Sequence, residues 1–178
     1  MVLTAERLAR DWHRQAVVPP PEFSLKLVDD HLWFEASREA PARSAPFSQP
    51  GHFQAELWKH DVAELFLADR TSGRYLELNL APNGAWWACW FADVRTPESN
   101  QPDFSSLSGR GASQPSGWHA SLRVPVADLP PLQDLTWNVT FILESPEQVF
   151  VSAAELGDGE PDFHRPTGFR PLIADVPA

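Results

Sequence analysis

Three features of the sequence predict an all-β fold, an antiparallel β-sandwich of two sheets carrying only short helical turns. Apolar and polar residues alternate in short runs, the period-two signature of half-buried strands. The 18 prolines are spread along the chain, which favours many short elements over long helices. Turn residues separate the runs at fairly regular intervals, as in sandwiches. A closed barrel is the alternative that the same pattern allows.

In chain order, residues 1–15 (MVLTAERLARDWHRQ) place Leu3, Leu8 and Trp12 near helical spacing, with Thr4 as a cap. A short amphipathic helix is expected there, with an edge strand as the alternative. Val17-Val18-Pro19-Pro20-Pro21 ends it and runs extended, so residues 1–20 read as an N-terminal extension. Residues 23–28 and 32–36 read as a hairpin around Asp29-Asp30-His31; Phe23, Leu25 and Leu27 alternate with Ser24 and Lys26. Residues 38–51 are a Pro/Ser/Ala loop.

Residues 57–91 read as three consecutive strands, turning at Thr71-Ser72-Gly73 and Pro82-Asn83-Gly84. In the first, Ala63, Leu65 and Leu67 oppose Val62, Glu64 and Phe66. In the second, Arg74, Leu76, Leu78 and Leu80 oppose Tyr75, Glu77 and Asn79. In the third, Trp86 and Trp90 share one face and Trp87, Cys89 and Phe91 the other. Residues 95–117, rich in Ser, Gly, Pro and Gln, are longer than an ordinary connection and are expected to form a flexible loop.

Trp118, Ala120, Leu122 and Val124 then mark another strand, followed by an irregular segment at 125–131. Trp137, Val139, Phe141 and Leu143 alternate with Asn138, Thr140 and Ile142. Residues 149–153 and 169–173 close the set on either side of a polar loop at 155–168. With no internal repeat, the chain (1–178) reads as one domain, long enough to bury about 70% of its unfolded surface.

Composition narrows function. Acidic residues outnumber basic ones 24 to 14, for a net charge of −10, and Lys and Arg do not cluster. Nucleic acid and anionic membrane are therefore excluded as expected partners. An acidic surface suits a neutral polar ligand, a cation or a metal. The single Cys89 has no internal disulfide partner, and its aromatic strand suits a buried thiol better than a nucleophile. The charged first 15 residues lack a signal-peptide core, and no apolar run reaches about 18 residues, so a cytoplasmic location is expected. No nucleophile elbow, dinucleotide loop, P-loop or His-Glu-x-x-His helix is present.

Two constellations remain. His60, Asp61 and Glu64, with His164 or Asp162, would make a metal site, although the spacing lacks a recognised ligand pattern and solvated charges explain it as well. Glu64 and Glu77 fall on one face of neighbouring strands, beside large rings. Such a pair accepts hydrogen bonds from sugar hydroxyls, pairs with arginines, or works in glycoside hydrolysis at carboxyl separations of about 5–10 Å. Trp58 offers an indole face for a sugar ring to stack upon. Trp118 and Trp137 lie on apolar faces and are expected in the core.

Three segments, LWKHDVAELFL, YLELNLAPNGAWWACWF and PDFHRPTGFRPL, resemble bacterial DOMON-like domains, which belong with the β-sandwiches similar to family 9 carbohydrate-binding modules. Leu57-Trp58, Glu64 to Phe66, Tyr75, Glu77, Asn79, Pro82, Gly84, Trp86 and Pro161 to His164 carry the resemblance, which extends over residues 20–175. It implies a jelly-roll-like sandwich with a ligand on one sheet face: a sugar, or haem in some DOMON branches. The ligand-binding set it implies is Trp58, Glu64, Glu77, Asn79, Trp86, Phe163 and His164. A Met/His haem site is not expected, because Met1 is the only methionine. No cofactor is expected, and a structural calcium stays open. The expected function is non-catalytic binding of a carbohydrate or sugar-containing metabolite. The alternatives are a structural or self-associating domain, such as a homodimer, and a glycoside-acting enzyme.

Overall fold

Twelve strands make two antiparallel sheets in the computed structural model, which describes residues 1–173; the final residues of the expected domain, 174–178, lie outside it. The strands are β1 (Val2–Arg7), β2 (Glu22–Val28), β3 (His31–Arg38), β4 (Val62–Asp69), β5 (Tyr75–Leu80) and β6 (Trp86–Asp93). They continue with β7 (Thr96–Pro97), β8 (Ser108–Gln114), β9 (Gly117–Pro125), β10 (Leu135–Leu143), β11 (Val149–Ser152) and β12 (Arg170–Pro171). The smaller sheet runs β1-β2-β3-β9-β8. The larger runs β11-β10-β4-β5-β6-β7, with β12 also paired to β10. Helical structure among the described residues is limited to four 3₁₀ turns of three residues each, and no helix there is long and apolar enough to cross a membrane.

The sheets face each other across one apolar layer. Leu25, Leu32, Phe34 and Leu122 of the smaller sheet meet Leu65, Leu78, Val139 and Phe141 of the larger. Phe23 packs edge-on against Trp137 at 5.6 Å, and Trp118 lies tilted 6.4 Å from Phe141, so both tryptophans are core as their strand faces predict. The smaller sheet leaves its other face to solvent: β3 alternates buried and half-buried residues along its length. The larger sheet behaves differently. Every residue of β4, β5 and β10 is buried, because a second apolar layer covers the outer face. Leu57, Val62, Phe66, Phe91, Phe163 and Phe169 belong to it. The segment 153–169 folds back over the sheet to complete that layer.

Five expectations need correction. Residues 1–15 do not form a helix. Residues 2–7 pair with β2 as an edge strand, Ala5 opposite Ser24. A helix this short is marginal alone, whereas the open edge of β2 satisfies its backbone groups. Residues 1–20 are thus part of the sandwich, with Leu8 and Val17 in its core. Residues 95–117 are not a loop throughout, because they contain β7 and β8, and β8 forms a hairpin with β9. Five consecutive residues of this edge strand, Arg110 to Gln114, are exposed, so no alternation marks it. Its glycines do the packing: a Cβ on Gly111 would lie 2.4 Å from the Gly84 backbone nitrogen, and one on Gly84 2.4 Å from the Arg110 carbonyl carbon. The first strand of the 57–91 block begins only at Val62, after a 3₁₀ turn at Leu57–Lys59. The closing strand is only Arg170–Pro171.

Candidate functional site

Strand alternation sends Glu64, Phe66, Tyr75, Glu77, Asn79, Trp87, Cys89 and Phe91 to the outer face of the larger sheet. The register orders them into rows. One row runs Thr140–Glu64–Asn79–Trp87 across β10, β4, β5 and β6, and the next runs Asn138–Phe66–Glu77–Cys89. Glu64 and Glu77 are therefore diagonal neighbours on adjacent strands. The segment 153–169 covers part of this face and leaves a cavity of about 390 Å³, a volume suited to a small ligand. Glu64 and Glu77 line it, Trp87, Phe91, Ile142 and Phe150 form apolar walls, and Trp58, Arg95, Pro161, Phe163 and His164 complete it.

One loop determines how the cavity closes. Asp162 Oδ1 accepts hydrogen bonds from the Arg95 guanidinium at 2.8 Å and from the His164 backbone N–H at 3.1 Å. This holds Phe163 and His164 over the sheet. Phe163 rests on Trp12 and Phe150, each with ring centroids 6.0 Å away. His164 is set edge-on among Phe66, Tyr75 and Phe91 at 5.4–5.8 Å. The Tyr75 hydroxyl accepts the Arg95 backbone N–H at 3.0 Å, and it lies 2.7 Å from His164 Nδ1. In the tautomer protonated on Nε2 the hydroxyl donates to Nδ1, and the Nε2–H faces Glu77 Oε2 at 3.7 Å.

Burial dominates the electrostatics. It pushes Glu64 up to about 8, helped by the charge of Glu77 and opposed by the Thr140 hydroxyl, which donates to Glu64 Oε2 at 2.8 Å. It pushes Glu77 up to about 7, against the nearby Asn79 amide and Arg95. Asn79 comes near Glu77, but neither of its amide atoms makes a hydrogen bond of good geometry, although the residue is only 1% exposed. Burial pushes His164 down to about 4, helped by Arg95 and opposed by Asp162. Near neutral pH the floor of the cavity therefore presents carboxyl O–H, carboxylate oxygen and a neutral imidazole N–H together. This mixture of donors and acceptors suits hydroxyl groups and, equally, proton transfer.

Five of the seven sequence-derived site residues meet at the cavity: Trp58, Glu64, Glu77, Phe163 and His164. Trp58 is 49% exposed on its 3₁₀ turn, with the Lys59 ammonium 5.4 Å from its ring centroid. Asn79 lies on the same face but is sealed from solvent. Trp86 does not belong to the site. It points into the sandwich core, donates its indole N–H to the Gly51 carbonyl at 3.1 Å and packs edge-on against Phe53. Its neighbour Trp87 takes the outer face, as alternation with Cys89 and Phe91 requires. Trp87 was thus legible, and an arginine beside the carboxyl pair was among the expectations, whereas Phe150 and Ile142 carried no sequence signal for the site. The metal grouping also fails, because Asp61 is a loop clamp. Its buried carboxylate accepts the backbone N–H groups of Arg43 and Ser145, each at 3.0 Å. Among the described residues no cluster of three or more His, Cys, Asp or Glu is arranged to hold a metal ion.

No protein-family model matches the chain. It is similar to the UPF0462 protein C4orf33 homolog of Mus musculus, 29% identical over 136 residues, which is 72% of this chain and 68% of that protein. The Homo sapiens protein C4orf33 is 28% identical over 128 residues, 67% of this chain and 62% of that protein. The chain thus spans about two thirds of the length of these relatives, which are mammalian, whereas the sequence resemblance was to bacterial domains. Among solved structures, a proposed carbohydrate-binding protein from Bacteroides uniformis superposes with a TM-score of 0.73 at 14% identity, covering 94% of this chain and 84% of that one. A family 9 carbohydrate-binding module from Caldicellulosiruptor kristjanssonii, solved with glucose and with cellotriose, gives 0.62 at 13% identity in both complexes. It covers 93% of this chain and 81% or 80% of that one. The fold is therefore the β-sandwich of the family 9 carbohydrate-binding modules, as the resemblance implied.

Proposed function

We propose that the cavity on the outer face of the larger sheet binds a carbohydrate or a sugar-containing metabolite without transforming it. The observation that carries this reading is the meeting of a half-exposed indole, Trp58, with Glu64, Glu77 and His164 in one cavity. A sugar ring presents C–H groups on one side and hydroxyls around its rim, so it needs an aromatic face beside paired donors and acceptors. Trp58 supplies the face, the carboxyl pair and imidazole supply the polar partners, and Trp87 and Phe150 exclude water. The rim that carries the indole is anchored, because the Gln148 amide donates to the Trp58 carbonyl at 3.1 Å. Two further facts support the reading. Modules of the same fold have been solved with glucose and cellotriose. Burying two carboxyl groups is also costly, and a face that served only for packing would not need them.

A titration of glucose, cellotriose and a wider glycan panel, followed by tryptophan fluorescence and calorimetry, tests this reading. At least one saccharide is expected to bind, with affinity reduced at least about tenfold in Trp58→Ala. A panel without any binding, or a Trp58→Ala variant that binds as the parent does, contradicts the reading.

A further inference from the structure

The carboxyl pair lacks a cationic partner. Among the described residues Glu64 makes no ion pair, and its only hydrogen bond there comes from Thr140. Glu77 has one basic neighbour within 4 Å, His164 at 3.7 Å, which burial holds in its neutral form. Arg95, the guanidinium at the cavity, is committed to Asp162 at 2.8 Å. Aromatic faces surround the pair, with Trp58, Trp87, Phe91 and Phe150 all lining the same cavity.

A neutral sugar satisfies hydrogen bonds here but gives the two carboxyl groups no ionic partner. A cation answers both the carboxyl pair and the aromatic walls. Buried carboxylates are stable when paired, and aromatic rings attract cations through their quadrupoles. An alkylammonium group carries three N–H donors, enough to reach both carboxyl groups that line the cavity, Glu64 and Glu77. Diagonal cross-strand positions lie about 7–8 Å apart at the backbone, and an ammonium making contacts of about 2.7–2.9 Å to each carboxylate fits between side chains on that spacing.

We propose that the ligand is an amino sugar, whose protonated primary amine sits between Glu64 and Glu77 while its ring lies against Trp58. This rests on the carbohydrate reading above and narrows it to a cationic class. Binding displaces protons from the carboxyl pair. The groups facing the pair are Tyr75, Cys89, Arg95, Asp162 and His164. Burial raises Tyr75 to about 12 and Cys89 to about 11, His164 is lowered to about 4, and hydrogen bonds and Arg95 hold Asp162 below its usual value. Tyr75, Cys89 and His164 lie outside pH 5.5–7, a range in which the carboxyl pair, at about 8 and about 7, still holds protons for an amine to displace.

Calorimetry with D-glucosamine, D-glucose, N-acetyl-D-glucosamine and 2-aminoethanol tests this. Glucosamine is expected to bind at least about tenfold tighter than the two neutral sugars. Its affinity should rise by up to about tenfold per pH unit from pH 5.5 to 6.5 for each proton released, while glucose binding stays flat. The isosteric variants Glu64→Gln and Glu77→Gln should each abolish the preference. If a variant fails to fold, the pH dependence of the parent protein decides. Glucosamine binding no tighter than glucose, or with no rise with pH, overturns the amine assignment and leaves the sugar reading standing. Aminoethanol as tight as glucosamine, with neither neutral sugar bound, overturns the sugar reading and keeps the amine. Absence of binding by all four overturns the amine assignment, and the wider glycan panel decides the sugar reading.

Discussion

The two faces of the larger sheet are made by the same strands and do opposite things. On β4 and β5, Leu65, Leu67, Leu76, Leu78 and Leu80 point inward and bury apolar surface against the smaller sheet. One residue away in each case, Glu64, Tyr75, Glu77 and Asn79 point outward and bury polar groups under a folded-back segment. The inward residues drive folding, because apolar burial yields about 25 cal/mol per Å². The outward carboxyls oppose it, since burial raises their proton affinity and leaves Asn79 without partners. The apolar core and the candidate site are separated here by a single residue step.

The largest effects should come from the inward face. Leu78 is fully buried, so Leu78→Ala should cost about 3–5 kcal/mol through lost transfer energy and a residual cavity, measured by urea unfolding. A loss below about 1 kcal/mol would mean that the inner layer is not the core. Next comes the clamp beside the site. Asp61→Ala orphans the N–H groups of Arg43 and Ser145, and a cost of about 3 kcal/mol is expected. Substitution without cost would return Asp61 to the candidates for a chemical role.

The outward carboxyls predict an effect of opposite sign. A carboxyl whose folded pKa lies above its unfolded value gives the folded state a proton that the unfolded chain has released. That contribution is complete below the ordinary value of 4.5 and is lost as pH rises through the folded values of about 7 and 8. His164 has the reverse linkage: its folded value of about 4 lies below 6.5, so its penalty fades as pH rises through 6.5 and is gone by about pH 7.5, offsetting only a small part of the loss. Between pH 6.5 and 8.5 the protein should lose about 2 kcal/mol of stability, seen as a drop of several degrees in Tm. The double variant Glu64→Gln/Glu77→Gln should lose this slope and melt higher than the parent at pH 8.5. A parent whose Tm is flat over that range would show that the pair is not buried as described. The smallest effect on folding belongs to Trp58→Ala. At 49% exposure its stability should change by less than about 0.5 kcal/mol, even as saccharide binding is lost.

The separation of faces was legible in the sequence because β4, β5 and β6 alternate without a bulge, so each residue's side follows from its position. That alone placed Glu64, Glu77 and Asn79 together and set Trp87 opposite Trp86. The assignment of Trp86 to the site failed because the family pattern was followed at a position where period two pointed the other way. The rest depended on tertiary contacts that leave no local mark. β8 pairs through glycines packed against the turn at Gly84, β1 completes an open edge instead of coiling, and segment 153–169 lies over the sheet as irregular chain. Asp61 resembled a ligand because a clamp and a metal ligand use the same side chain. Its role follows from the N–H groups brought to it by Arg43 and Ser145, 18 residues before and 84 after it.

The most direct test of the two-faced account is an amide chemical-shift map of the isotope-labelled protein titrated with glucose, cellotriose and glucosamine. The account predicts saccharide-dependent shifts at Trp58, Glu64, Glu77, Trp87 and residues 161–164, with β2 and β3 of the smaller sheet unmoved. Shifts confined to the smaller sheet, or none on the outer face of the larger one with any of the three sugars, would contradict it.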